Sequence, residues 1–498
     1  MSEIGEFERQ DPVVKRDTLA HGVRWVASAQ ITVQLGRLAL AIVMARLLVP
    51  ADFGVVSLVM IFIAFVDIAL GDVGTAAAIV QRQDLSDEEI STLFWFNVAL
   101  GILSTAAAQV AAPLMKHALD HPDVVMAFRV VSVTFAIAGF RMAHHAVLRR
   151  DLRYRALATL DWTSFVVNAS VAIFLAANGG GFWSIIFGTL AANVAMTVGV
   201  WATSGFRPVF TYDWSHLRSV ASFSLNLSAF RIVNFFSAQG DRFLVGAYIG
   251  VDSLGYYSQA NRLVRYPLDT AAIVYRRVLV PAMSKDQNDN RRLRAAFLRS
   301  TGASAVTVVP FTLLAAVLAE PLILALPGEQ WLPAVPLLRL LAIVGLINTV
   351  AGQSGVVFMV KGRTDMLLYW GTTAAAITMA GYIIGLQWGV VGVAWGYVIA
   401  MSLLILPSFY FPMKLIDTPM RMLWHQLKRI ALAGVLLAAV TYAVMTVLYS
   451  SGENPWPALI AGSVSGGVVY LGILVWLRDE SFADLIEIGS PRIAKKLR

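Results

Sequence analysis

Long apolar segments follow one another along almost the whole chain, and no soluble domain separates them. A segment of 18 or more apolar residues can cross the hydrocarbon core of a bilayer as a helix. Only 14% of the residues are charged, against about 25% in a soluble domain. The sequence therefore predicts an all-α integral membrane protein with about 14 transmembrane helices. The predicted segments lie at about 23–48, 53–80, 92–115, 124–148, 158–177, 182–203, 219–249, 253–283, 293–318, 333–359, 366–386, 389–411, 428–449 and 457–477.

Basic residues predict which side of the membrane each connection faces. Both tails and the connections after the even-numbered segments carry Lys and Arg, such as Arg149 and Arg150 after the fourth segment. The connections on the other side contain a single basic candidate, Lys116. Because cytoplasmic connections are enriched in basic residues, both termini are expected in the cytoplasm. This bias also explains the net charge of +8 without a nucleic-acid partner.

The two halves of the chain resemble each other. LLVPADFGVVS at 47–57 aligns with YIGVDSLGYYS at 248–258, which places Gly54 over Gly255, and three further short matches follow in the same order. This pattern predicts two six-helix lobes related by a parallel repeat around a central cavity, with two extra helices appended. The predicted domains are a cytoplasmic N-terminal tail (1–22), an N-lobe (23–205), a cytoplasmic interfacial linker (206–218), a C-lobe (219–411), the last two helices with the preceding loop (412–477) and a cytoplasmic C-terminal tail (478–498).

Arginines in the middle of the eighth segment restrict the function most. Ser258, Arg262, Arg265 and Asp269 occupy i, i+4, i+7 and i+11, so a helix presents them on one face. A buried arginine at that depth costs at least about 2.5 kcal/mol unless it faces water, a counter-ion or an anionic ligand. Two interpretations are open: a structural ion pair between Arg265 and Asp269, and a water-filled cavity that receives an anion.

Other segments carry polar stripes that the repeat relates to this one. The first segment has Gln30, Gln34 and Arg37 at i, i+4 and i+7, and the seventh has Arg231 and Asp241. The second segment has Asp67 in its middle. Because the repeat relates the first segment to the seventh and the second to the eighth, we expect these stripes to face one cleft. His144 and His145, near the end of the fourth segment, are expected at the membrane interface.

Several motifs resemble one known family. They are ARLLVPADFGVVSL (45–58), GDVGTAAAIVQRQDLSDEEISTLFWFNVALG (71–101), DRFLVGAYIGVDSLGYYSQANRLVRYPLD (241–269) and RRVLVPAMSKDQNDNRRLRAAFLR (276–299). They resemble the polysaccharide transporter branch of the multidrug/oligosaccharidyl-lipid/polysaccharide (MOP) flippase superfamily, close to its Wzx-type members. The resemblance covers about residues 20 to 450.

The resemblance implies a two-lobed inner-membrane transporter. Such proteins move undecaprenyl-pyrophosphate-linked saccharide units to the periplasmic leaflet for exopolysaccharide, capsule or lipopolysaccharide biosynthesis. Membrane lipid, a polysaccharide polymerase and export machinery are further candidate partners. A basic central cavity is also implied, and the candidate pyrophosphate-binding residues here are Arg37, Arg262, Arg265, Arg231, Gln30 and Gln34. Asp67, Asp241 and Asp269 are expected either to bind a coupling proton or Na⁺ or to act as counter-ions of the arginines.

Two rival functions make different demands on the sequence. A cation-coupled multidrug exporter of the same superfamily would favour acidic residues in the cavity, whereas arginine outnumbers carboxylate in the eighth segment. A membrane-bound glycan ligase or polymerase would need a sizeable extracytoplasmic loop, whereas outer connections such as 116–123 are short. The chain has no cysteine, which excludes thiolate metal sites and cysteine nucleophiles. No cofactor, no metal and no enzymatic activity are expected.

Overall fold

The computed structural model describes residues 16–68, 75–82, 85–119, 121–211, 235, 238–265, 268, 289–352, 354–449, 454–479 and 481–483. The side chains of residues 16–31, 77, 114–119 and 364 lie outside this description. The described part is almost entirely helical.

Seven helices form the described part of the first half. They are α1 (Arg16–Leu47), α2 (Pro50–Val66), α3 (Thr75–Gln81), α4 (Asp87–Leu119), α5 (Pro122–Arg150), α6 (Tyr154–Ala177) and α7 (Trp183–Thr203). Helices α2 and α3 both fall within the second predicted segment, on either side of residues 69–74.

Ten helices follow in the described part of the second half. Helix α8 (238–244) continues into a π-helical turn (Val245–Ile249), which ends at Gly250 with φ of 123°. Only glycine adopts that conformation readily, and α9 (251–265) begins directly after it. The others are α10 (Asn290–Val317), α11 (Ala319–Ala325), α12 (Val335–Ala351), α13 (Ser354–Val360), α14 (Thr364–Gly385), α15 (Gly389–Leu415), α16 (Met420–Leu448) and α17 (Trp456–Trp476).

Most of these helices are long and apolar enough to span a bilayer. The described residues contain nine continuous helical stretches of this kind, one of which, Asp365–Leu415, runs over both α14 and α15. Helix α2 is a shorter apolar helix. The protein is a multi-pass membrane protein, and the prediction of an all-α fold with about 14 helices is confirmed.

The chain divides into two compact units. Unit 1 consists of Met1–Met44, Ile63–His117 and Val125–Ala229, and unit 2 of Ala45–Phe62, Ala118–Val124 and Phe230–Arg498. The first four turns of α2 therefore pack with elements from the second half of the chain. The domain boundaries predicted from the sequence stay a prediction.

Each unit has its own buried core. In unit 1, Phe94 packs with residues of α5, and the ring of His144 lies 4.3 Å from that of Trp201. His144 is completely buried, and its Nδ1 is 2.8 Å from Ser204 Oγ. Helices α4 and α7 cover this face of α5, and the expected position of His144 at the membrane interface stays a prediction. In unit 2, a core cluster joins α10, α15, α16 and α17 around Phe297.

Candidate functional site

Arg262 is positioned by a stack of aromatic rings in unit 2. Its guanidinium carbon lies 5.6 Å from the ring centroid of Phe53, which is within the range of a cation–π interaction. Phe53 is buried and packs edge-on against Trp331 at 5.1 Å. Trp331 is itself fully buried and donates from Nε1 to the carbonyl of Ala45 at 2.8 Å. Arg262 remains exposed, so a rigid support on one side leaves the cation accessible on the other.

Two glycines bring α2 and α9 close enough for this stack to form. A Cβ at Gly54 would lie 1.8 Å from the carbonyl oxygen of Val251, and a Cβ at Gly255 would lie 2.0 Å from that of Pro50. No side chain fits at either distance. The first turns of the two helices therefore meet backbone to backbone, through the two glycines that the repeat places over each other.

Two further arginines lie near Arg262. Arg242, on α8, is close enough for its charge to act on Arg262. Arg265 follows one turn after Arg262 on α9, is exposed, and interacts electrostatically with Tyr397. Like charges that lie together in a membrane span repel each other, so water or an anion must compensate them. The helices α8 and α9 thus present a basic surface.

Asp241 lies beside this surface and is buried, with 4% exposure. Its Oδ2 accepts a hydrogen bond of 2.8 Å from the hydroxyl of Tyr257. Tyr382 and Tyr397 are close enough to interact with its charge, and their rings pack edge-on at 5.0 Å. Asn348 Nδ2 donates to the Tyr397 hydroxyl at 3.0 Å. Residues of α8, α9, α12, α14 and α15 thus form one polar network around a single carboxylate.

Helices α8 and α9 carry buried polar atoms without a hydrogen-bond partner in the part of the chain that the structure describes. They are Gln239 Oε1, Asp241 Oδ1, Arg242 Nε, Ser258 Oγ and Gln259 Oε1. A buried polar group that lacks a partner costs about 1–3 kcal/mol, and such groups mark places where a proton, an ion or water can act. Most are oxygens, so this part of α8 and α9, with Asp241, can accept positive charge.

Unit 1 contains a second charged cluster, to which several helices contribute. Asp161 on α6 interacts electrostatically with Arg37 on α1 and Arg141 on α5, and Arg141 also interacts with Asp67 at the end of α2. Arg141 Nη1 donates to Asn193 Oδ1 on α7 at 2.9 Å. Arg37, Asp67 and Asp161 are exposed. Two arginines and two aspartates balance each other in this cluster, unlike the basic surface of unit 2.

A family model places these residues in a known context. Residues 43–336, more than half of the chain, match the family described as polysaccharide biosynthesis protein. The chain belongs to this family. The match includes α2 and α9 with their paired glycines, and therefore the whole stack beneath Arg262.

Curated relatives of this polysaccharide biosynthesis protein share about a quarter of its residues. The teichuronic acid biosynthesis protein TuaB of Bacillus subtilis is 24% identical over 84% of this chain and 87% of its own length. The succinoglycan biosynthesis transport protein ExoT of Rhizobium meliloti is 25% identical over 97% of this chain and 98% of its own. The lipopolysaccharide biosynthesis protein WzxC of Escherichia coli is 25% identical over 80% of this chain and 82% of its own length.

Solved structures share the fold of this polysaccharide biosynthesis protein. The lipid II flippase MurJ, in an inward closed conformation, covers 91% of this chain and 99% of its own, with a TM-score of 0.75 and 14% identity. An inward-facing multidrug resistance MATE family transporter of the MOP superfamily aligns with 77% of this chain over 94% of its own length, with a TM-score of 0.61 and 17% identity. The fold is that of the MOP superfamily.

The structure brings together some of the residues predicted from the sequence. Arg262, Arg265 and Asp241 lie in one region of unit 2, and Arg37 and Asp67 in one cluster of unit 1. Gln34 lies half-buried on α1. The predicted residues Arg231 and Asp269 and the side chain of Gln30 lie outside the described residues.

Several contributing residues were missed from the sequence. Among them are Phe53, Arg242, Asp161 and Tyr397. Arg242 could have been found, because it directly follows Asp241 in a predicted span. Phe53 and Tyr397 look like ordinary apolar-face residues, and Asp161 lies close to the start of its predicted segment.

Proposed function

We propose that this chain is a flippase that moves polyprenyl-pyrophosphate-linked saccharide units across the inner membrane for polysaccharide biosynthesis. The observation that carries the proposal is the basic surface of unit 2, where Arg242 and Arg262 interact as like charges and Arg265 lies exposed one turn away. An anion that enters this surface would relieve the repulsion and the cost of charge inside the membrane. Membership in the polysaccharide biosynthesis family and the fold shared with a lipid II flippase support the same function.

The chemistry of the substrate suits these side chains. A pyrophosphate offers oxygens that arginine forks can bind in pairs. The saccharide is too polar to cross about 30 Å of hydrocarbon unaided, whereas the polyprenyl tail can stay in lipid. Arg262, supported by Phe53, is a preorganised ligand because its position is set before substrate arrives. In this account the transporter alternates between inward and outward access, with both termini in the cytoplasm.

The aspartates of the two units, Asp161 and Asp241, have different roles. In unit 1, Asp161 neutralises Arg37, so Arg37 binds pyrophosphate only in exchange for that carboxylate. In unit 2, Asp241 has one oxygen held by Tyr257 and one without a partner among the described residues. We assign Asp241 the uptake of the coupling proton or Na⁺, since an added positive charge there would satisfy the orphaned oxygens.

Saccharide export and membrane abundance, measured together in cells, test the proposal. Arg262→Lys keeps the charge and loses the fork, and should retain part of the export. Arg262→Gln should reduce export by at least about tenfold at unchanged abundance. Export at the wild-type level in Arg262→Gln would overturn the assignment.

A double variant tests the role of Arg265 by also changing Asp269, which lies four residues later in the sequence. If the two form only a structural ion pair, Arg265→Gln is rescued by Asp269→Asn, because neutralising both ends removes the unpaired charge. If Arg265 binds substrate, abundance recovers in the double variant and export stays lost.

The MATE-like fold makes a multidrug exporter the second candidate. Such a protein would lower the accumulation of a cationic dye such as ethidium in cells that express it. We expect no dye efflux, because the basic surface repels cations. Energy-dependent ethidium efflux that Arg262→Gln leaves intact would favour the exporter.

A further inference from the structure

Helices α16 and α17 place a group of charged residues at the level of the lipid headgroups. Residues 430–448 of α16 contain no charged side chain, and neither does α17. A helix of about 20 residues spans the hydrocarbon core. The charges begin directly outside it, with Lys428 and Arg429 before the apolar run of α16 and Arg478 and Asp479 after α17. These ends lie together, because Arg429 Nη1 donates to the carbonyl of Arg478 at 3.2 Å.

A polar cavity of about 180 Å³ opens between these ends. It is lined by His425, Gln426, Lys428, Arg429 and Asp479. The walls are fixed by hydrogen bonds that do not fill the cavity. Gln426 Nε2 bonds to Ser481 Oγ, and the amide of Phe482 donates to Asp479 Oδ1 at 3.1 Å.

The charges of the cavity are arranged with the positive groups outward. Asp479 is 4% exposed and lies at the back, where burial raises the pKa of its carboxyl group and Arg429 opposes that rise. Lys428 and His425 are exposed at the mouth. A ligand that enters from the membrane surface therefore meets positive charge first. The depth, polarity and sign of the cavity fit a phosphodiester.

The surroundings of the cavity suit a lipid rather than a free anion. Trp424 and Trp476 are 66% and 80% exposed, which is typical of the aromatic belt at a membrane interface. Leu432 and Val435 continue from the cavity along an exposed apolar face of α16. A phospholipid whose phosphate lies in the cavity could thus keep its acyl chains on that face.

We propose that this cavity binds the headgroup of an anionic membrane phospholipid, such as phosphatidylglycerol. The phosphate contacts Lys428 and His425 at the mouth and the free edge of Arg429 behind them. The site is separate from the basic surface of unit 2 and does not depend on the flippase function. A bound lipid would hold the last two helices against the chain that follows α17.

The test uses the purified full-length chain, stripped of lipid in detergent and titrated with phospholipids. Native mass spectrometry counts the lipids bound. Each basic residue near a lipid surface strengthens binding about fivefold, so Lys428→Gln/Arg429→Gln should weaken phosphatidylglycerol binding by about 25-fold. The matched control is Arg291→Gln/Arg292→Gln, which removes two exposed charges at the start of α10 and should leave binding within about twofold.

Three results would overturn the proposal. They are equal binding of phosphatidylglycerol and phosphatidylcholine by the wild type, undiminished binding in Lys428→Gln/Arg429→Gln, and complete displacement of the lipid by millimolar inorganic phosphate. If the double variant fails to accumulate, Lys428→Gln alone decides, since it leaves the bond from Arg429 to Arg478 in place. Unchanged binding in that single variant would also reject the site.

Discussion

Replacing Gly54 by alanine should separate α2 from α9 and thereby displace Arg262. The new Cβ would lie 1.8 Å from Val251 O, about 1.6 Å short of the 3.4 Å at which ordinary contact begins. A helix shift of that size would move Phe53 and Arg262 from 5.6 Å to beyond the roughly 6 Å limit of a cation–π interaction. Overpacking of this kind costs about 1–3 kcal/mol, and the lost cation–π contact adds about 0.5–2 kcal/mol.

The thermal unfolding midpoint in detergent and saccharide export in cells measure the two effects. Gly54→Ala should lower the midpoint by at least about 2 °C and reduce export. The control is Gly371→Ala on α14, where a Cβ meets nothing within 4 Å. Because alanine is the better helix former, that variant should be neutral or more stable by about 0.5–1 kcal/mol. Wild-type stability and export in Gly54→Ala would refute the reasoning, since the backbones could then not be in contact.

Three further predictions concern charge and topology. Asp241→Asn should remove the dependence of transport on a proton or Na⁺ gradient while substrate binding persists, measured in vesicles with imposed gradients; a retained gradient dependence would reject the coupling role. Asp161→Asn should lower membrane abundance, measured by immunoblot, because it leaves the charge of Arg37 uncompensated. Adding Arg37→Gln should restore the abundance but not saccharide export. No rescue of abundance in the double variant would mean that the two charges do not balance each other. A tag at Gly179, in the exposed turn between α6 and α7, should be open to an external protease and tags at either terminus protected, whereas an externally cleaved terminus would overturn the assigned orientation.

The sequence was sufficient where a single helix carries the signal. Arg262 and Arg265 stand out because their cost depends on depth in one apolar segment, and that depth can be counted along the chain. The alternation of basic and neutral connections and the length of each segment likewise need no tertiary information. These local signals predicted the fold class and the residues on α9.

The remaining features depend on contacts between distant segments. Phe53 lies more than 200 positions before Arg262, and nothing in its apolar surroundings indicates a cation above its ring. The repeat predicted that Gly54 and Gly255 are equivalent, but equivalence does not say that the two helices touch each other. Asp161 acquires its meaning only when Arg37 and Arg141, from two other helices, are brought beside it.

The burial of His144 shows the same limit. The place of a histidine near the end of a span does not show whether its ring meets water or the interior of the protein. Here Ser204 supplies a hydrogen-bond partner and aromatic rings cover the rest of the side chain. A buried polar residue can therefore be recognised only with its partners in view.

The most direct test of the central claim is a flipping assay in proteoliposomes. The purified chain would be reconstituted with a short-chain, fluorescent polyprenyl-pyrophosphate-linked sugar, and the label exposed on each leaflet would be followed over time. A hydrogen bond to a charged group is worth about 1.5–3 kcal/mol, so Arg262→Gln should slow flipping by about 10- to 150-fold. The wild type should flip the substrate rapidly, and the variant should show that loss. Flipping by Arg262→Gln at the wild-type rate, or by the wild type no faster than in protein-free vesicles, would contradict it.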